Sequence, residues 1–259
     1  MGNEKFSRVA QTDYWHYFQV SNPFRFQQFT VFQEKSAFKV GTDSVVLGAW
    51  SACEKAESIL DIGTGTGLLA LMCAQKNKHA PIIGIDPDPD TLNEALKNFG
   101  CSPWSHRLQA INIGFQNFGT SLFDYIICNP PYFCGALHGP ETRKNNARHM
   151  EPDGFTALAR QIPSLLSPGG IFGFILPEKE WELFSAELVQ NNLFLRRRMS
   201  VFPKPGMKNK ERILSEWSSP KKNLITEPDL FLRTEEGAYS MEYKNLTRHF
   251  YLKEAVTAL

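Results

Sequence analysis

The sequence predicts an α/β fold: a mostly parallel sheet with helices on both faces. Three observations carry this. Apolar runs of strand length recur at 58–62, 82–86, 108–113, 123–128 and 171–176, as buried parallel strands require. Stretches of helical length separate most of them. The first run passes directly into Gly63-Thr64-Gly65-Thr66-Gly67 and then a helix over 68–75. Strand, glycine-rich turn and helix in that order form a nucleotide-binding arrangement.

A chain of 259 residues holds one large α/β domain or two small ones,. No repeat, low-complexity tract or linker divides it. The expectation is a tail over 1–23 and a single domain over 24–259, with 219–259 packed on it as a C-terminal extension. Hydrophobic residues make up 42%, which excludes global disorder. No apolar run reaches the roughly 20 residues that span a bilayer. No apolar stretch follows Met1–Lys5, as a secretory signal would need. Five cysteines without a Cys-x-x-Cys pair argue against a disulfide framework or zinc site and for reduced cytoplasmic thiols. The net charge is only +1, so any nucleic-acid binding must come from a local basic patch.

Residues 1–20 are polar apart from Tyr14-Trp15-His16-Tyr17-Phe18, a cluster that packs on the domain or contacts a base,. The aromatic and β-branched stretch 24–33 predicts a strand or hairpin. A helix follows over 44–52, with Thr42 or Asp43 as its N-cap. Strand one, 58–62, places Asp61 just ahead of the glycines. Their G-x-G-x-G spacing is tighter than the dinucleotide fingerprint, and Asp61 would repel a pyrophosphate. An acid there suits a ligand with a cationic end, such as an amino acid's ammonium group. The glycines supply positive φ and let backbone approach the ligand. Strand two ends in Asp86, where an acid binds ribose hydroxyls. The alternative is a helix cap, since Pro87-Asp88-Pro89 opens a helix over 90–99. Strand three covers 108–113.

Strand four, 123–128, leaves the sheet through Asn129-Pro130-Pro131-Tyr132. Ligands of open α/β sheets lie outside the carboxyl ends of the strands. The prolines fix φ and carry no N–H, so the turn presents carbonyl oxygens without competing donors. Asn129 adds an amide oxygen and Tyr132 a flat ring. Two acceptors and a stacking face suit a planar –NH2 group; the alternative is an ordinary Asn-Pro turn. Arg143, Lys144, Arg148 and His149 follow in a polar loop. A helix over 152–166 stops at Ser167-Pro168-Gly169-Gly170. Strand five covers 171–176, and a helix covers 178–191. A hairpin pairs 193–202 with 211–218. Arg196, Arg197, Arg198, Lys204, Lys208, Lys210 and Arg212 make it either an RNA-contacting or a solvated face. A short strand near 230–232 and a terminal helix near 246–252 complete the chain.

This pattern resembles the class I S-adenosylmethionine-dependent methyltransferases. Asp61–Gly67 looks like their methionine-contacting turn, and Asp86 like their ribose acid. Asn129–Tyr132 looks like the motif of enzymes that methylate planar amino groups. More closely, the chain resembles the bacterial tRNA1(Val) adenine-N6 methyltransferases. Phe26-Gln27-Gln28-Phe29, Lys39–Asp43, Leu47-Gly48-Ala49-Trp50, Ala147-Arg148 and Leu176-Pro177-Glu178 carry this, beside the two motifs above.

The resemblance implies a Rossmann-like sheet of seven strands and a short N-terminal extension. It implies S-adenosylmethionine as cofactor and methyl transfer to N6 of adenine 37 in tRNA1(Val). It further implies an anticodon stem-loop as partner, no metal, no membrane, and a cytoplasmic monomer. Asn129, Pro130, Pro131 and Tyr132 would be catalytic. Thr42 and Asp43 would lie against the cofactor rather than merely cap a helix. Asp61, Gly63, Thr64, Gly65 and Gly67 would hold its amino-acid end, and Asp86 and Pro87 its ribose. Asn112 and Ile113 would meet its adenine, with Asn129 also in contact. The family often has an acid where Asn112 stands, but the amide oxygen still accepts. Phe133, Arg143 and Arg148 would contact the RNA. A rival is a glutamine N5 methyltransferase of release factors, which shares the Asn-Pro-Pro-Tyr motif but carries a helical N-terminal domain where 24–33 is strand-like. Another is a non-catalytic RNA- or cofactor-binding scaffold, against which the intact motif argues.

Overall fold

The computed structural model describes residues 23–34, 39–119, 121–130, 154–207 and 211–252. The chain builds β1 (Phe24–Arg25), β2 (Thr30–Val31), α1 (Thr42–Trp50), β3 (Ile59–Ile62), α2 (Leu68–Lys76), β4 (Ile82–Asp86), α3 (Pro89–Gly100), β5 (Leu108–Asn112) and β6 (Phe123–Cys128). It continues with α4 (Gly154–Leu165), β7 (Leu166–Pro177), α5 (Glu178–Gln190), β8 (Phe194–Phe202), β9 (Arg212–Ser218), β10 (Ile225–Thr226), β11 (Leu230–Phe231) and α6 (Met241–Thr247).

The large sheet runs β8-β9-β7-β6-β3-β4-β5, parallel except for β9. These are the seven expected strands. The two-residue β10 and β11 both pair with β8 and raise the described sheet to nine. All four residues of β3 are buried, as a strand covered on both faces must be. From β3 the chain builds β4 and β5 on one side, then returns to place β6 and β7 on the other. That reversal opens a crevice between the carboxyl ends of β3 and β6.

One core, under α1, α2 and α6, covers one face of the sheet; a second, under α4 and α5, covers the other. α1 and α2 approach closely because Gly48 has no side chain: a Cβ there would stand 2.6 Å from Met72 Sδ. Lys76 donates to the carbonyls of Ala49 and Ser51, satisfying acceptors left open at the end of α1. The stop at Ser167–Gly170 is a bulge rather than a clean break. Leu166 already pairs with Phe123, and pairing resumes at Ile171 opposite Tyr125.

The N-terminal hairpin is fastened at both ends. Asn98 accepts the Phe32 N–H and donates to the Phe32 and Thr66 carbonyls. Gln27 donates to the carbonyls of Arg248 and Tyr251, and Phe26 stacks between Phe29 and Tyr251. These contacts correct the terminal helix expected near 246–252. The helix is α6, started by Ser240, whose hydroxyl accepts the Tyr243 N–H. Beyond it Phe250 is buried and Tyr251 bridges to Phe26. The apolar residues taken for a helical face are docking residues.

Candidate active site

The glycine turn is built by two carboxylates beneath it. Asp61 is fully buried. Its Oδ2 accepts the Thr64 hydroxyl at 2.7 Å and the Ala70 N–H at 3.1 Å, tying the turn to the first turn of α2. Its Oδ1 is buried without a hydrogen-bond partner among the described residues. Burial pushes the Asp61 carboxyl up to about 7 against these two bonds, and nearby Asp86 adds to the rise,. Asp61 is therefore first a turn-former, and one oxygen remains for a cationic group. Gly63, Gly65 and Gly67 all have positive φ, at 68°, 57° and 82°, which favours glycine. A Cβ on Gly67 would also run into the Phe99 ring.

Asp86 closes the turn from the next strand. Its Oδ2 accepts the Gly65 N–H at 3.0 Å and its Oδ1 the Asp88 N–H at 2.9 Å. Each oxygen keeps a lone pair for a hydroxyl. Burial raises this carboxyl too, opposed by the two backbone bonds. Asp86 does not cap α3; Asp88 does, accepting the Asp90 N–H with Pro89 in the first turn,. Asn112 is exposed at the end of β5 and donates to the Asp86 carbonyl at 2.9 Å. The Ile113 N–H donates to the same oxygen, and exposed Pro87 follows it. Asp61, Gly63, Thr64, Gly65, Gly67, Asp86, Pro87, Asn112 and Ile113 thus share one edge of the sheet.

Asn129 and Pro130 leave β6 beside this turn, since Ile62 pairs with Cys128. Pro130 is buried. Asn129 donates from Nδ2 to Ser44 Oγ at 2.8 Å, and its Oδ1 is buried with no partner among the described residues. Ser44 lies in the first turn of α1, so the Thr42–Ser44 end of that helix abuts the motif. Neither Thr42 nor Asp43 is the N-cap: Gly41 holds that position without a side-chain bond. Asp43 instead accepts Arg212 Nε at 3.1 Å, fixing α1 to the start of β9.

Pro131, Tyr132, Phe133, Arg143 and Arg148 lie outside the described residues. Three arginines of the basic hairpin are engaged within the fold, and Lys208 and Lys210 lie outside the described residues. The Arg197 guanidinium stacks 3.9 Å from the Trp50 ring centroid and bonds Glu216 and Glu227. Arg198 lies over Trp181, and Arg212 holds Asp43. Sequence reasoning missed Ser44 and Asn98. Asn98 carried a signal, a polar residue three positions after Ala95 on the buried stripe of α3,. A lone serine in a helix's first turn carries none.

Among the described residues, no helix is long and apolar enough to cross a membrane, and no three His, Cys, Asp or Glu side chains gather where a metal could bind.

Residues 26–156 match the family described as the methyltransferase small domain. A tRNA1(Val) (adenine(37)-N6)-methyltransferase of Bacteroides fragilis is 39% identical over 239 residues, covering 90% of this chain and all of that protein. Proteins of the same description from Phocaeicola vulgatus and Pseudoalteromonas translucida are 40% and 38% identical, each over 89% of this chain and 98% of their own length. A predicted O-methyltransferase from Agrobacterium tumefaciens superposes with a TM-score of 0.61 at 16% identity, over 80% of this chain and 96% of that one. A ribosomal protein L11 methylase from Lactobacillus delbrueckii gives 0.51 at 16% identity, over 70% and 80%. These two likenesses establish the fold.

Proposed function

We propose that this chain, which belongs to the methyltransferase small domain family together with the tRNA1(Val) (adenine(37)-N6)-methyltransferases, methylates N6 of adenine 37 in the anticodon loop of tRNA1(Val). It works as a cytoplasmic monomer whose single domain spans 24–259. The observation that carries the chemistry is the unpartnered amide oxygen of Asn129 at the carboxyl end of β6. A buried acceptor without a donor costs about 1–3 kcal/mol, and an exocyclic amine is the donor that the motif is shaped to receive.

Bound S-adenosylmethionine supplies an electrophilic methyl group on a sulfonium. The residues present fit it. Asp61 Oδ1, buried beneath the turn and without a partner among the described residues, would take its ammonium, the Asp86 carboxylate would take its ribose hydroxyls, and the Asn112 amide oxygen would take its adenine amine. Thr42 and Asp43 border the same crevice. The N6 lone pair of the target is delocalised into its ring. Accepting the two N6 hydrogens at Asn129 Oδ1 and the Pro130 carbonyl favours a pyramidal nitrogen with its lone pair toward the methyl. With the cofactor bound, its sulfonium would give up the methyl to the N6 lone pair, and one N6 proton would leave to water. Pro131 stiffens the turn, and Tyr132 stacks on the flipped base with Phe133 beside it. Arg143 and Arg148 take phosphate contacts. Positioning supplies most of the acceleration.

The test incubates the full chain with tRNA and isotopically labelled S-adenosylmethionine, then analyses the digested nucleosides by mass spectrometry. The label should appear in N6-methyladenosine at position 37. Label in guanosine, or in a release-factor glutamine with tRNA unmodified, would replace this reading with a rival.

A further inference from the structure

We propose that Ser44 is a positioning residue that anchors the Asn129 amide by its nitrogen against α1, which leaves the amide oxygen for the reacting amine; this rests on the methyl-transfer reading above. An asparagine amide has two orientations of almost the same shape and opposite polarity. With Oδ1 outward, the site offers an acceptor to an –NH2 group. Flipped, Oδ1 would take the Ser44 proton and the amide would aim its own N–H donors at the amine, donor against donor. Ser44 Oγ lies 2.8 Å from Nδ2, and Oδ1 is the atom left without a partner. The helix that carries this hydroxyl is itself fixed. Asp43, its neighbour, is tied to Arg212, and Gly48 seats α1 against Met72. Strand β6 and helix α1, 85 residues apart at this bond, thus anchor the catalytic amide together.

Kinetics and amide exchange on the full chain test this. Ser44→Ala should lower kcat for tRNA methylation about five- to tenfold, the scale of one neutral hydrogen bond. Cofactor affinity by calorimetry and KM for tRNA should stay within about twofold. Ser44→Thr, which keeps the hydroxyl, should restore most of the rate. In an Asn129→Ala background, Ser44→Ala should cost nothing further. A Ser44→Ala enzyme with wild-type kcat, or additive losses in the double variant, overturns the proposal and leaves the methyl-transfer reading intact. A wild-type chain that leaves tRNA unmethylated overturns that reading instead. Hydrogen exchange of the Asn129 side-chain amide, followed by NMR, needs no activity. It should speed up in Ser44→Ala while other side-chain amides hold, and an unchanged rate overturns the assignment even if activity falls.

Discussion

Two polar clusters in this chain, each built around a fully buried carboxylate, differ in one respect. At the β8–β9 edge, Glu216 accepts the Tyr125 hydroxyl and the Ala52 N–H at one oxygen and Arg197 at the other. Glu227 accepts Arg197 and the Trp50 indole N–H. Burial alone would lower the Arg197 pKa, but the two carboxylates together hold it above its usual value. In the crevice at the ends of β3 and β6, by contrast, Asp61 and Asn129 each keep one oxygen with nothing to bind. A satisfied buried cluster is a joint: it fastens α1 to the sheet edge. An unsatisfied one carries an energetic cost that a bound ligand relieves.

The contrast breaks if the joint turns out to act on chemistry, or the crevice on folding. Glu216→Ala is expected to show the largest effect. It leaves the buried Tyr125 hydroxyl and the Ala52 N–H without their acceptor and Arg197 with Glu227 alone, and should destabilise the fold by about 3–5 kcal/mol, while the molecules still folded keep their turnover per active site. Denaturant titration with active-site counting checks both halves. Asn129→Ala should do the reverse. Its kcat should fall about 100-fold, with the melting temperature and cofactor affinity nearly unchanged.

Asp61 sharpens the comparison through pH. Its folded-state value, about 7, lies above the ordinary 3.8, so the folded protein keeps this proton where the unfolded chain has lost it. The contribution is complete below about pH 4 and is lost as pH rises through about 7, at no more than ~1.4 kcal/mol per pH unit. Asp61→Asn should flatten that part of the stability profile in ligand-free protein. In the wild type, cofactor should bind more tightly above pH 7, where the carboxylate is charged. Parallel urea melts from pH 5 to 8 decide this: equal slopes for both proteins would mean that Asp61 is already ionised. Asp86→Ala is the mildest. Losing the ribose acceptor should weaken cofactor binding about tenfold, or ~1.4 kcal/mol, measurable by calorimetry.

What could be read in the sequence was what depends on neighbours along the chain. The apolar runs of β3, β4 and β6 announce themselves because both faces are buried. The glycines at 63, 65 and 67 stand where positive φ is needed, and Asn129 follows directly on its strand. What could not be read depends on partners far away. Arg197 looks like one of three surface arginines until Trp50 and two glutamates close around it. Ile225–Thr226 is exposed and pairs only through backbone, so no side-chain pattern marks it. The helix at 241–247 was masked by the stronger apolar signal of Phe250 and Tyr251, whose partner Phe26 lies at the other end of the chain.

That last contact bears on synthesis. Gln27 is fastened by carbonyls 221 and 224 residues downstream. The same segment, through the Asn98 bonds at Phe32 and Thr66, reaches the glycine turn. A nascent chain can pair β3 with β4 as soon as both emerge, and Asn98 can then clasp Phe32, but the Gln27 end of the first hairpin has no clasp until residues 248–251 leave the ribosome. The ligand turn is therefore among the first parts to be made, while the hairpin beside it is among the last to be fastened at both ends. Ribosome-bound chains halted before residue 248 should leave the hairpin open to proteases that spare it in the released protein.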